Sequence, residues 1–242
     1  MKNKAVLFFA CSFLLLSVSA SAQTIRFGVK VGAGIAQMSY TPTPPPDTFQ
    51  YDNYAGFLYD RQAGHKPTFT AGGVAEYDLS KNWLLSAGLQ ACLKFYEAND
   101  VRDYPKERFR LNVVYLQVPL MAHFRTGKWF VGIGGYAGAG LVGRWNRSLT
   151  FYNDKTGEEE VVSDSDAIRF GSDFGESNWR RFDGGARGEV GFGLKKMRLS
   201  VAYEHGFANS LNSGTDANQQ FADSKLRHRA ITASVAYYWL AK

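Results

Sequence analysis

The sequence predicts an all-β protein: eight antiparallel strands closing up and down into a transmembrane barrel with long extracellular loops. Three observations lead there. Apolar residues recur at every second position through eight segments. The connections between segments alternate between short and long. Aromatic residues gather near segment ends, where indole and phenol rings favour a membrane interface. Aromatics make up 15% of the chain, and 25 glycines outnumber 7 prolines, a profile that suits many strands.

The strands begin after a targeting segment. Lys2 and Lys4 form a basic start, Ala5 to Val18 an apolar run, and Ala20-Ser21-Ala22 a small-residue cleavage site before Gln23. Residues 1–22 therefore read as a secretory signal peptide and 23–242 as one barrel domain. The apolar run is shorter than the ~20 residues that span a bilayer as a helix. Cys11 lies inside it, and Phe8-Phe9-Ala10 lack the leucine and small residues of a lipoprotein signal. The mature chain keeps Cys92 alone, so no internal disulfide staples it. The net charge of +6 is not gathered into a dense basic run, which gives nucleic-acid binding little support. No stretch after the signal is apolar enough for a membrane helix.

Each strand has an apolar face and a small-or-charged face. In the first, Ile25 to Gln37, Phe27, Val29, Val31 and Ile35 oppose Arg26, Gly28, Lys30 and Gly32. In the second, Thr68 to Leu79, Phe69, Ala71, Ala75 and Tyr77 oppose Thr70, Gly72, Glu76 and Asp78. Ser80-Lys81-Asn82 turns into the third, Trp83 to Tyr96, where Leu85, Leu89 and Leu93 oppose Gln90, Cys92 and Lys94. The fourth, Asn112 to Phe124, sets Leu116, Val118 and Leu120 against Tyr115, Gln117 and His123. A turn near Gly127 leads into the fifth, which starts at Trp129. Val131, Ile133 and Leu141 face one way there, and Gly132, Gly134, Tyr136 and Gly138 the other.

That fifth strand also matches two short motifs. Gly132, Gly134 and Ala137 fit a dinucleotide-binding fingerprint, but no helix pattern follows, so the required context is missing. Gly134 and Gly138 fit a GxxxG pattern, but the uncharged run is too short for a spanning helix. The sixth strand, Phe182 to Leu194, sets Val190 and Phe192 against Asp183, Arg187 and Glu189. After Lys195-Lys196, the seventh sets Leu199, Val201 and Tyr203 against Arg198, Ser200 and Glu204. The eighth, Arg229 to Trp239, carries Ile231, Val235, Tyr237 and Trp239 on its apolar face. The long connections are expected at Tyr40 to Lys66, Glu97 to Arg110, Arg144 to Arg181 and about Ser210 to Leu226.

The choice of solvent follows from the backbone. Lipid offers no hydrogen bonds, so a sheet in a membrane must close on itself. A strand of about 9–11 residues crosses at the usual tilt. Eight strands leave room inside for side chains but no open aqueous channel. Arg26, Lys30, Glu76, Asp78, Lys94, Arg187, Glu189, Arg198 and Glu204 then point inward, where opposite signs can pair. A soluble periplasmic sandwich, with those residues in water, is the competing arrangement.

Within this frame the chain resembles the PorT-like outer-membrane β-barrel family. "YLQVPLMAHF", Tyr115 to Phe124, is similar to that family's Y-L-E-I-P-L strand, with Gln117 in place of the commoner Glu. "FGVKVGAGIA" resembles its first strand and "VAYEHGFANSL" its penultimate one. The resemblance implies an eight-stranded barrel in the outer membrane and a link to secretion of cell-surface proteins.

No side-chain constellation predicts catalysis, so no catalytic, cofactor or metal residue is assigned. His205 lies on the apolar side near the outer rim, but residue 207 is Phe where a lipid-deacylating barrel would carry Ser. His123 is expected inward, and His65 and His228 in or near loops. Cys92 is expected inside as a packed thiol. "GEEEVVSDSD", Gly157 to Asp166, reads as a solvated acidic loop without calcium-loop spacing. "TPTPPPD" reads as a stiff polyproline stretch, and Asn146 heads a formal glycosylation triplet. The expected function is non-enzymatic: a structural or interaction component of the envelope, with lipid and a surface or envelope protein as partners. A small transport barrel and a lipid-modifying barrel enzyme stay open as alternatives.

Overall fold

A computed structural model describes residues 24–41, 61–100, 106–153, 156–171, 179–208, 210 and 225–240. The expected signal peptide and nearly all of the polyproline stretch lie outside them. The strands are β1 (Ile25–Thr41), β2 (Arg61–Gly64), β3 (Lys66–Asp78), β4 (Trp83–Asp100), β5 (Lys106–Thr126) and β6 (Trp129–Asn153). They continue as β7 (Glu158–Ala167), β8 (Phe170–Gly171), β9 (Trp179–Arg180), β10 (Phe182–Gly193), β11 (Met197–Gly206) and β12 (Lys225–Leu240).

Eight of these strands form a closed antiparallel ring in the order β1-β3-β4-β5-β6-β10-β11-β12, with β12 returning to β1. Ring neighbours follow one another along the chain, so the barrel is up and down. Closure pairs the backbone of every strand on both sides and leaves no sheet edge in the apolar zone.

The pleat sorts the side chains as the alternation predicts. Val31, Leu89, Leu120, Ile133, Val190, Val201 and Ile231 all point outward and are exposed. A soluble monomer rarely exposes an apolar surface this continuous, and lipid is the solvent it fits. At the short-turn end Trp83 meets Phe124 and Trp129 meets Phe192, edge to face, at 5.3 and 5.2 Å. Trp239 and Tyr237 extend this girdle.

Inside, register puts large charged residues beside small ones. Lys30 lies between Gly72 and Ala236, and Glu189 between Gly132 and Ala202. At Gly132 a β-carbon would enter the His123 ring, so the inner wall depends on glycine there. The short turn at Gly127 has φ +59°, the left-handed region that glycine enters without steric cost.

The structure corrects the expected loops. The connection expected from Glu97 to Arg110 is largely strand, since β4 reaches Asp100 and β5 starts at Lys106. The third, Arg144 to Arg181, is mostly ordered: β6 runs on to Asn153, and β7 pairs back along it from Arg144↔Ala167 to Asn153↔Glu158. The acidic stretch is therefore a strand, exposed at every residue. A bulge inserts Leu141 where Val114 pairs Val142 and Tyr115 pairs Gly140. The extra residue changes the parity of β6 and increases local twist. β5, β6 and β7 thus continue past the apolar band as a three-stranded projection. β12 likewise begins earlier than expected and carries His228 into the barrel.

Candidate functional site

Among the described residues the inward side chains pack in two ways. Toward the short turns the packing is ionic. Glu76 is the hub: Arg198 Nη1 donates to its Oε1 at 2.5 Å, Tyr238 Oη donates to the same atom at 2.6 Å, and Arg26 lies at 3.3 Å. Arg26 also pairs with Asp78 at 2.8 Å. One level up, Lys30 pairs with Glu189 at 2.6 Å and Arg187 with Glu204 at 2.7 Å. Charges this deep need partners, because an unpaired buried ion costs several kcal/mol, roughly.

Mid-barrel, Lys94 is 1% exposed, yet its ammonium has three kinds of contact. Its Nζ lies 2.7 Å from His228 Nε2 and 3.5 Å from Asp183 Oδ2, and 5.0 Å from the centre of the Tyr115 ring. His228 Nδ1 lies 3.0 Å from Asp183, and Tyr136 Oη lies 2.9 Å from its Nε2. Expecting His228 in or near a loop missed this, because the last strand extends outward beyond its apolar pattern.

Toward the long loops the filling is apolar and aromatic. Tyr96, Leu111, Val113 and Tyr115 of the wall pack with Ile168 and Trp179, which come from the third connection. Phe109, Trp145 and Phe170 lie against this cluster. Trp179 Nε1 donates to Tyr115 Oη at 3.1 Å. The returning segment is tied to the wall by Ile168 N to Gly143 O at 2.9 Å and Gly140 N to Arg181 O at 2.7 Å. Sequence reasoning missed this seal. The available signal was the recurrence of large apolar residues, Ile168, Phe170 and Trp179, after the acidic run of that connection.

Cys92 sits beneath the seal, 1% exposed, and its thiol donates to Gln117 Oε1 at 2.8 Å. His123 is inward and buried, as expected, with Nε2 2.9 Å from Ser86 Oγ. That serine–histidine pair was not foreseen. The adjoining cavity, also bordered by Glu76, Glu189 and Tyr238, holds ≈ 20 Å³, about one water and no acyl chain. His205 is on the lipid side between Tyr203 and Phe207, and His65 is exposed beside β3. Among the described residues no three His, Cys, Asp or Glu side chains gather as metal ligands. Asn146 lies opposite Arg110 on the outer extension of β6.

No curated protein matches the chain. Three solved structures are similar to the chain over most of its length. Neisserial surface protein A is 13% identical over 88% of this chain and 97% of its own, with a TM-score of 0.41. OprG from Pseudomonas aeruginosa is 10% identical over 90% and 96%, with a TM-score of 0.40. Ail of Yersinia pestis, in complex with the heparin analogue sucrose octasulfate, is 12% identical over 88% and 99%, with a TM-score of 0.34. The family model described as "Outer membrane protein beta-barrel domain" matches residues 21–212, most of the chain. The chain belongs to this outer-membrane β-barrel family, and the outer membrane is where it resides.

Proposed function

We propose that the protein is a non-enzymatic interaction component of the cell envelope, contacting a protein partner at the cell surface through its outer projection. The observation that carries this reading is the contrast between a filled lumen and a structured exterior. Ion pairs and the aromatic seal occupy the interior, while β5, β6 and β7 extend a sheet past the lipid band. The ion pairs and aromatic cluster inside the barrel favour this reading over transport, and the small cavity beside Ser86 and His123 favours it over lipid chemistry. The PorT-like resemblance supplies one setting for such contacts, a secretion machine.

The test is site-specific photocrosslinking in living cells from Ser163 or Ser165 of β7. The expected result is one recurrent envelope protein, lost when residues 156–167 are replaced by a short turn. Acyl transfer or lipid hydrolysis by the purified barrel, or steady solute-selective conductance in planar bilayers, overturns the reading.

A further inference from the structure

Above the apolar band, the lipid-facing side of β4, β5 and β6 changes chemistry within one residue pair. The outward pair Leu93 and Val114 is followed by Phe95 and Asn112, then by Glu97 and Arg110, then by Asn99 and Arg108. Arg144 stands beside Asn112 on β6. Lys66 reaches the same surface where the chain steps from β2 to β3 and its partners shift from Gly64↔Glu97 to Thr68↔Lys94. Three cations converge on one carboxylate: Lys66 Nζ at 2.9 Å, Arg110 Nε at 3.1 Å and Arg108 Nε at 3.9 Å from Glu97.

Glu97 is covered by them, its side chain 11% exposed, yet Arg108 and Arg110 keep 54% and 53% of theirs exposed. Arg144 is exposed as well. Three cations thus meet one acid, with Arg144 nearby, on a surface that points at lipid, at the height where acyl chains give way to headgroups. Guanidinium groups suit this place, because their planar fork binds phosphate oxygens two at a time.

We propose that Lys66, Arg108, Arg110 and Arg144 form a docking surface for a phosphorylated lipid headgroup of the outer leaflet. Glu97 holds Lys66, Arg108 and Arg110 together and limits the net charge of the patch. Asn99, Asn112 and Asn146 flank the patch as neutral hydrogen-bonding groups.

The test measures anisotropy of fluorescent bisphosphoryl lipid A on the full barrel in neutral detergent. The R108Q/R110Q/R144Q variant is expected to bind more weakly, by about fivefold per charge removed. The corresponding triple lysine variant is expected to keep most of the binding, and added salt to weaken it in the wild type. Folding of each variant is checked by heat-modifiable migration. Glu97→Gln is the independent arm: it leaves all four cations in place, removes the carboxylate that three of them share, and is expected to tighten binding. Equal binding by all variants overturns the proposal. So does equal affinity for dephosphorylated lipid A. Displacement by inorganic phosphate at the lipid's own concentration would instead mark a free-anion site and equally sink it.

Discussion

Toward the short turns, the lumen is filled by side chains that the eight ring strands themselves carry. Toward the long loops, part of the filling arrives from a segment that leaves the barrel and comes back. The first region is charged and cross-linked through carboxylates such as Glu76 and Glu204. The second is apolar and aromatic, with Ile168 and Trp179 supplied by the returning segment. The difference separates two jobs. The ionic half ties the ring strands to one another. The aromatic half closes a mouth, and closing a mouth does not require that the lid be part of the wall.

The largest effect is therefore expected in the ionic half. Glu76→Ala removes the shared acceptor of Arg198, Arg26 and Tyr238, leaving Arg198 buried without its carboxylate. Losing one partner of a buried pair costs about 3–5 kcal/mol. Reversible urea unfolding in phospholipid bilayers should register it as a lower midpoint. Adding Arg198→Met to a Glu76→Leu variant should recover much of the loss, because well-packed apolar pairs replace buried ion pairs nearly neutrally. No recovery would mean that the hub acts through Arg26 and Tyr238 instead.

In the outer half, Trp179→Ala should act on the mouth more than on the ring. Removing a buried tryptophan from a closed core costs about 3–5 kcal/mol. A returning segment can instead open locally and absorb part of that cost. The expected signature is a smaller shift of the unfolding midpoint than Glu76→Ala gives, with a clear rise in labelling of Cys92 by externally added maleimide. Cys92 is suited to this readout because it lies under the seal and is the sole cysteine after residue 22. Unchanged labelling would show that the ring alone shields the thiol.

This division also explains what could be read from the sequence. The ring was legible because its two faces meet different surroundings. Val29 and Val31 against Lys30 is a contrast that lipid and lumen impose at every second residue. β7 lies beyond both, exposed on each face, so Glu158 to Ala167 carries no such contrast and read as a loop. The bulge at Leu141 left two adjacent apolar residues, Leu141 and Val142, both exposed, which period two alone cannot place. His228 was misplaced because the apolar pattern of the last strand ends near Ile231 while its pairing continues outward. The seal depends on contacts between distant segments, such as Trp179 with Tyr115, which no local pattern encodes.

Paired glycine substitutions probe the same division on a smaller scale. Gly132 is covered by the His123 ring of the wall, and Gly140 by the Phe170 ring of the returning segment. Gly132→Ala asks a ring strand to move, and overpacking of this kind costs about 1–3 kcal/mol. Gly140→Ala asks only the seal to move. It should leave the unfolding midpoint nearer the wild-type value while raising Cys92 labelling. Equal midpoints with no labelling change would mean that the two halves yield alike.

The smallest effect belongs to the ion pairs outside the barrel. Lys106 and Glu159 bridge β5 and β7 at 3.2 Å, with 51% and 50% of their side chains exposed. Water and salt screen such a pair, and its value is about 0.2–1 kcal/mol. Lys94 with Asp183 is longer, at 3.5 Å, but both side chains are almost wholly buried. Distance alone ranks the exterior pair first, whereas burial ranks it last. A double-mutant cycle on each pair, read from unfolding midpoints at low and high salt, decides between the two rankings. The exterior cycle should give a coupling under about 1 kcal/mol that fades as salt rises. The interior one should be larger and nearly indifferent to salt, because the lumen that holds Lys94 is closed by charge on one side and by aromatic rings on the other.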